Sequence, residues 1–415
     1  MRKSIFIMSV IIFLGVKFYL TQAVQSMPYV SADGAVLMDA TTGMILYSKN
    51  ADTAYPPAST TKVMTALLTL ENCKMDDIVT IGTKPTKVDG NNIALFEGET
   101  FTVKDMLYAL INESANDCAE ALAEHISGSV EEFSIRMNTR AKELGCKNTN
   151  FLNPSGLYQK NHKTTARDLA LIMKELTKHE EFKEISTTML YNIKPTNKTQ
   201  KERVINNHNR LLVKNSGYYY EGCEGGKTGY TIQSKHSYVV CGAKDGRKLI
   251  VALIHDTQKT FYKDSITLFN YGFNNFQLKK AYSKGELIST HKKGEINVPL
   301  FAAEDFYYVK DLELEEEPKY IIEETQINSY LSQAKTTSLE ALITLGGETI
   351  GKLNLMSPES YKVKAAALEE GTAKENKANS KGFESNKHSL RPLFLLIGGA
   401  ISSLLVVVKI NCFKS

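Results

Sequence analysis

The sequence predicts an α/β domain, an antiparallel sheet with a helical cluster, followed by a small all-β module and an apolar C-terminal helix. Three observations carry this. Strand-like segments lie near residues 34–50 and 221–254 with helical patterns between them, so the two ends of the domain share one sheet. From residue 277 to about 363 the pattern becomes short and alternating, as in Glu295-Ile296-Asn297-Val298-Pro299-Leu300 and Lys319-Tyr320-Ile321-Ile322, which reads as a small β module. Residues 393–408 are apolar or small on every side, and Lys409 and Lys414 follow.

A chain of 415 residues with 42% hydrophobic content holds material for two globular units plus tails. The N-terminus runs Met1-Arg2-Lys3, then is apolar from Ile5 to Leu20, then offers small residues at Ala23 and Ser26. It reads as a secretory signal peptide over residues 1–26; an uncleaved anchor is the alternative, because Lys17 interrupts the run. Residues 364–390, rich in Lys, Glu, Asn and Ser, read as a flexible tether, and residues 391–413 as a membrane anchor. The body, residues 27–363, is thereby expected outside the cytoplasm, held at a membrane.

The formal charge is +4, and five of the basic residues (Arg2, Lys3, Lys17, Lys409, Lys414) lie in the ends, which leaves about −1 on the remainder. Such a body is not built to bind nucleic acid. Cys73, Cys118, Cys146, Cys223 and Cys241 show no metal-site spacing, and their odd number argues against a disulfide framework; free thiols are expected, with a Cys223–Cys241 bridge as the open alternative.

Taken in order, residues 34–50 form a hairpin around Thr41-Thr42-Gly43. Pro56-Pro57 then sets an extended entry to Ser59, and Val63, Ala66, Leu67 and Leu70 follow at the spacing of one buried helical stripe. Ser59 and Lys62 are thus one turn apart, close enough for an amine to take a hydroxyl proton if burial or a second cation depresses its pKa. Ser59 as a simple helix cap is the competing reading.

Helical patterns over 103–111 and 118–126 flank Ser114-Ala115-Asn116-Asp117, so Ser114 and Asn116 share a short loop. Residues 130–144 form another amphipathic helix. The loop Asn153-Pro154-Ser155-Gly156-Leu157 follows, and Thr165 and Asp168 cap a helix running to Leu176. The period then changes to a three-stranded meander of residues 224–231, 237–243 and 249–254, opened by Gly226-Lys227-Thr228-Gly229-Tyr230, whose glycines allow close approach to the strand. A helix from Ile266 and an exit turn to Phe276 close the domain.

Each of these motifs is weak alone. In order, Ser59-x-x-Lys62, Ser114-x-Asn116 and Lys227-Thr228-Gly229 make the signature set of penicillin-recognising serine acyl-transfer enzymes. Over residues 29–276 the chain resembles the low-molecular-mass penicillin-binding proteins that act as D-alanyl-D-alanine carboxypeptidases, peptidase family S11.

That resemblance implies a serine β-lactamase/DD-peptidase-like domain and no cofactor. It makes Ser59 the nucleophile and Lys62 its base, with Ser114 and Asn116 in proton relay and substrate binding. It gives Lys227, Thr228, Gly229 and Tyr230 the substrate-binding edge, and the Ser59 and Tyr230 N–H groups the oxyanion hole. The implied partners are a peptidoglycan stem peptide, β-lactams and, through the C-terminal helix, a membrane.

Three positions depart from the family pattern: Gly226 stands where an aliphatic residue is usual, Ser155 where His is usual, and only Lys259 or Lys263 lies where an Arg binds the terminal carboxylate. A class A-like β-lactamase and a non-catalytic β-lactam sensor or wall-binding protein are the competing classes.

Overall fold

Thr41 and Thr42 turn the first two strands on a single carboxylate: Asp39 Oδ1 accepts both their backbone N–H groups and the Thr42 hydroxyl, and Gly43 completes the turn at φ +77°. The computed structural model describes residues 27–332, 339–365 and 367. In chain order its first part runs β1 (Gly34–Asp39), β2 (Ile45–Lys49), α1 (Lys62–Asn72), β3 (Ile78–Thr80), β4 (Thr100–Thr102), α2 (Val103–Tyr108), α3 (Asn116–Ser127) and α4 (Val130–Glu143). It continues with α5 (Ala166–Leu176), α6 (Glu180–Thr187), β5 (Leu190–Ile193), β6 (Arg203–Asn206), β7 (Cys223–Thr231), β8 (Lys235–Lys244), β9 (Arg247–Asp256) and α7 (Phe261–Asn275).

The expected sharing of one sheet by both ends is found. Antiparallel strands lie in the order β2-β1-β9-β8-β7, with β1 paired to β9 from Gly34↔Ile254 to Asp39↔Leu249. Alternate residues serve opposite faces. Ile250, Ala252 and Ile254 join a core with α1, α3, α4 and α5, whereas Leu249, Val251 and Leu253 join a second core with Leu268 and Phe269 of α7. Burial on both sides explains why β9 reads as an unbroken apolar run.

Two helix starts differ from those the sequence predicts. α3 begins at Asn116 rather than 118, directly after Ser114 turns through the left-handed region at φ 60°. α7 begins at Phe261 rather than 266; Phe261, Ser265 and Leu268 are buried at spacings of four and three, a stripe hidden from an apolar count by its serine.

Beyond α7 the chain forms β10 (Phe276–Tyr282), β11 (Leu287–Lys293), β12 (Ile296–Ala302), β13 (Phe306–Asp311), β14 (Lys319–Ile321), α8 (Glu324–Ser332), β15 (Leu339–Leu345) and β16 (Glu348–Met356). The unit boundary is not a single cut after Phe276. β10 pairs antiparallel with β13, and residues 305–318 group with the first unit. The second unit carries a five-stranded sheet ordered β11-β12-β16-β15-β14. It is not all-β as expected: α8 buries Ile327, Tyr330 and Leu331 at helical spacing, a stripe too short to stand out from the alternating segments around it.

The five cysteines of the body are free thiols, so the Cys223–Cys241 alternative falls. The expected signal peptide and anchor lie outside the described residues, as does nearly all of the tether. Among the described residues no helix is long and apolar enough to cross a membrane.

Candidate active site

Ser59 sits in a tight 3-10 turn, Ala58–Thr61, that runs straight into α1. It is not a helix cap: the residue in the cap position of α1 is Thr61, which makes no side-chain cap bond. Hydroxyl bonds fix the turn from all sides, with Thr60 Oγ1 donating to the Pro57 carbonyl and Thr65 Oγ1 to that of Pro154. Ala58 is held in the left-handed region at φ 51°, and a Cβ on Gly156 would lie 1.9 Å from its carbonyl oxygen. Only glycine lets the 153–157 loop close on this turn.

Lys62 is fully buried, and its Nζ has three oxygen neighbours: Ser59 Oγ at 3.0 Å, Asn116 Oδ1 at 2.7 Å and the Ser155 carbonyl at 2.7 Å. The carboxamide of Asn116 is oriented by its other end, since Nδ2 donates to the Asp89 carbonyl at 2.7 Å. Asn116 Oδ1 and the Ser155 carbonyl can only accept. A neutral amine has two N–H groups, which those two acceptors consume, and its lone pair is left facing the Ser59 hydroxyl. Burial first, and the Lys227 cation second, hold the Lys62 pKa well below its ordinary value.

Lys227 lies on β7, the edge strand of the sheet, and is likewise buried; its Nζ donates to the Thr228 carbonyl at 3.0 Å. Burial brings its pKa down to about 7. A Cβ on Gly229 would stand 2.8 Å from Ser59 N and 2.9 Å from the Pro57 carbonyl oxygen, so the strand passes the Ser59 turn at backbone contact distance.

Ser59, Ser114, Asn116, Lys227, Thr228, Gly229 and Tyr230 together line one cleft of about 970 Å³. Lys62 is buried behind two of these lining residues, Ser59 and Asn116, which its Nζ reaches. Ser114 reaches the cleft but makes no hydrogen bond to Ser59 or Lys62, and Tyr230 is exposed at its rim, stacked on His236 at 4.5 Å.

The structure accounts for the departures noted in the sequence. A Cβ on Gly226 would lie 2.5 Å from the Val239 carbonyl oxygen and 2.9 Å from the Val240 Cα of the paired strand, so an aliphatic residue does not fit here. Ser155 contributes its carbonyl to Lys62. An imidazole is nevertheless present beneath the turn: His162 Nδ1 accepts the Leu152 N–H, so Nε2 carries the proton and donates to Thr61 Oγ1 at 2.9 Å. Burial lowers the His162 pKa to about 4, which keeps the ring neutral. Of the two lysines near the last sheet strand, Lys259 lines the cleft, presented by a turn whose Gln258 and Thr260 N–H groups donate to the buried Asp256 carboxylate.

Sequence reasoning did not single out Gly90, Asn91, Glu113, His208, Arg210, Tyr218 or Tyr262, all in the cleft wall. They carry no motif, and the segments that bear them meet only in the fold. Arg210 lies face-on to Tyr218 at 4.8 Å, while Glu113 is occupied by the Asn206 N–H and by His208 at 3.1 Å.

The D-alanyl-D-alanine carboxypeptidase model of peptidase family S11 matches residues 21–258. D-alanyl-D-alanine carboxypeptidase DacF of Bacillus subtilis is 36% identical over 268 residues, 63% of this chain and 67% of the relative. Among solved structures, penicillin binding protein 5 of Haemophilus influenzae superposes with a TM-score of 0.67 at 28% identity, covering 80% of this chain and 98% of that one. A mutant of the Streptomyces K15 DD-transpeptidase gives 0.55 at 32% identity, covering 60% and 99%.

Lys227 gives a prediction in which stability and function part. Its folded pKa of about 7 lies below the ordinary 10.5. Between those values the unfolded chain binds more protons than the folded one, so stability rises with pH across that window and the burial of a protonatable amine is most destabilising below it. Lys227→Met is therefore expected to gain on the order of 2 kcal/mol in denaturant unfolding at about pH 6, with the gain shrinking toward about pH 10, while acylation of Ser59 is lost.

Proposed function

The chain belongs to peptidase family S11, the D-alanyl-D-alanine carboxypeptidases, and from that membership we propose a residue-by-residue mechanism for its cleft. The protein is a serine-type D-Ala-D-Ala carboxypeptidase: it removes the terminal D-Ala of peptidoglycan stem peptides through an acyl-enzyme and is acylated by penicillin in the same way. The observation that carries the mechanism is the trio of oxygens around Lys62 Nζ.

The peptide lies along the β7 edge, its terminal carboxylate received by Lys227 and Thr228, with Lys259 at the rim. Lys62 takes the Ser59 proton on its lone pair as Oγ attacks the penultimate D-Ala carbonyl. The N–H groups of Ser59 and Tyr230 stabilise the oxyanion. Lys62 then returns the proton, through Ser114, to the departing D-Ala amine, and Asn116 holds the acyl-chain amide. Water, deprotonated by the same lysine, releases the shortened peptide.

A class A-like β-lactamase wants a glutamate free to activate the deacylating water. Glu113 lines this cleft, but its two oxygens are engaged by the Asn206 N–H and His208, which favours the peptidase reading.

Ser59→Ala is expected to lower D-Ala release from a diacylated X-D-Ala-D-Ala peptide by at least roughly a thousandfold and to abolish the mass increment left by benzylpenicillin. Equal release by both proteins removes Ser59 from the mechanism. We also propose that the body acts outside the cytoplasm of a bacterium, exported by residues 1–26 and held by residues 391–413; the support is the apolar character of both segments in the sequence. The full chain is then expected to sediment with membranes, and a chain lacking residues 391–413 to appear in the soluble exported fraction; sedimentation of both alike contradicts the anchor.

A further inference from the structure

The guanidinium of Arg203, at the start of β6, makes four hydrogen bonds. Nε donates to the Ile93 carbonyl at 2.9 Å, one Nη2 bond goes to the Ala94 carbonyl at 3.0 Å, and Nη1 and Nη2 hold the Glu99 carboxylate as a fork at 2.9 and 3.0 Å. Glu99 is fully buried and also accepts the Phe96 N–H and the Thr196 hydroxyl. The ring of Phe101 lies 5.2 Å from the guanidinium. One arginine therefore ties the loop of residues 88–99 to the β5–β6 hairpin.

The same loop grips the Ser-x-Asn corner a few residues earlier. The Asp89 carbonyl accepts Asn116 Nδ2 at 2.7 Å, the Asn91 carbonyl accepts the Asn116 N–H at 2.6 Å, and the Asn91 side chain donates to the Glu113 carbonyl. Gly90, at φ +84°, passes so near that a Cβ would lie 2.6 Å from Asn116 Nδ2. From the opposite side the buried Asp117 carboxylate accepts the N–H groups of Ile93 and Leu95. Ala94 is itself held at φ 56° between these grips.

We propose that Arg203 is a positioning residue for the acyl-transfer reaction: by fixing the carbonyls of residues 93 and 94 it holds the neighbouring Asp89 carbonyl against Asn116, and so keeps the Asn116 oxygen on Lys62. The proposal rests on the reading of Lys62 as the base. The chemistry of an arginine is required, because a planar fork with five donors satisfies a carboxylate and two carbonyls at once, whereas a lysine ammonium offers three and no fork.

With the strap released, the Asn116 carboxamide is no longer fixed, solvent reaches Nζ, and the desolvation that depresses Lys62 relaxes. The charged and titratable groups facing Lys62 are Lys227 from β7 and Asp117 and Cys118 from α3; all three remain in an Arg203 variant. Relaxed desolvation moves the Lys62 pKa upward, so the acidic limb of the pH–rate profile moves to higher pH.

The test compares wild type, Arg203→Lys and Arg203→Met, with Glu99→Gln, which keeps the shape of the buried partner, as a second route into the same strap. Acylation by a chromogenic cephalosporin is followed across pH beside D-Ala release and thermal unfolding. The expected result is a drop of about tenfold or more in the acylation rate constant near neutral pH with a smaller change in the apparent binding constant. The acidic limb moves upward in folded Arg203→Lys and in Glu99→Gln. An unmoved limb, or loss that only follows the unfolded fraction, overturns the positioning role. If wild type itself is not acylated, it is the reading of the site as an acyl-transfer centre that fails, and the strap falls with it; if wild type is acylated and the limb of the folded variants coincides with its own, the strap alone is overturned. Should Arg203→Met not fold, the lysine and glutamine variants decide.

Discussion

A fully buried lysine with two carbonyl oxygens and one hydroxyl around its nitrogen constrains everything near it. Burying a cation in that position is costly unless it is paired, and the second cation, Lys227, makes the charged form of Lys62 still less favourable. The three oxygens would satisfy an ammonium's three N–H groups as well as a neutral amine's two N–H groups and lone pair, so it is burial, with Lys227 beside it, that favours the neutral form, whose lone pair then faces the Ser59 hydroxyl. The fold brings these groups together from α1, the start of α3 and the 153–157 loop, and each approach depends on a local device: Ala58 in a left-handed conformation, Gly156 without a Cβ, Asn116 fixed through Asp89.

The sheet supplies the other wall. Because β1 closes onto β9, β7 is left at the free edge of the sheet with its Gly229 backbone against the Ser59 turn. An edge strand can accept an extended peptide by main-chain pairing, which suits an enzyme acting on a chain terminus. In the proposed mechanism the two lysines divide the work by depth, with Lys62 buried behind Ser59 and Asn116 handling protons and Lys227 on the cleft wall supplying charge.

Much of this is legible in the sequence alone. Strands are readable where both faces are buried, as in β8 and β9, and helices where the apolar stripe is regular, as in α1 and α5. The three motifs were recognisable because the chemistry fixes their spacing. The second unit was less legible: α8 is short, and β10 and β13 pair across intervening chain, so a boundary read from composition fell in the wrong place. The cleft wall was illegible for a different reason. In that wall and behind it, Glu113, His162 and Arg203 are single polar residues outside any motif, and what distinguishes each is a partner far along the chain: His208, Thr61 and Glu99.

The most direct measurement of the central claim is the protonation state of Lys62 in the resting enzyme, read from the chemical shift of its side-chain carbon next to Nζ in lysine-labelled protein across a pH titration, with Lys62→Arg used to assign the signal. The account predicts a transition displaced far below that of the surface lysines, the amine already neutral where those are still charged. A signal that stays in the charged position until the pH at which surface lysines titrate would contradict it.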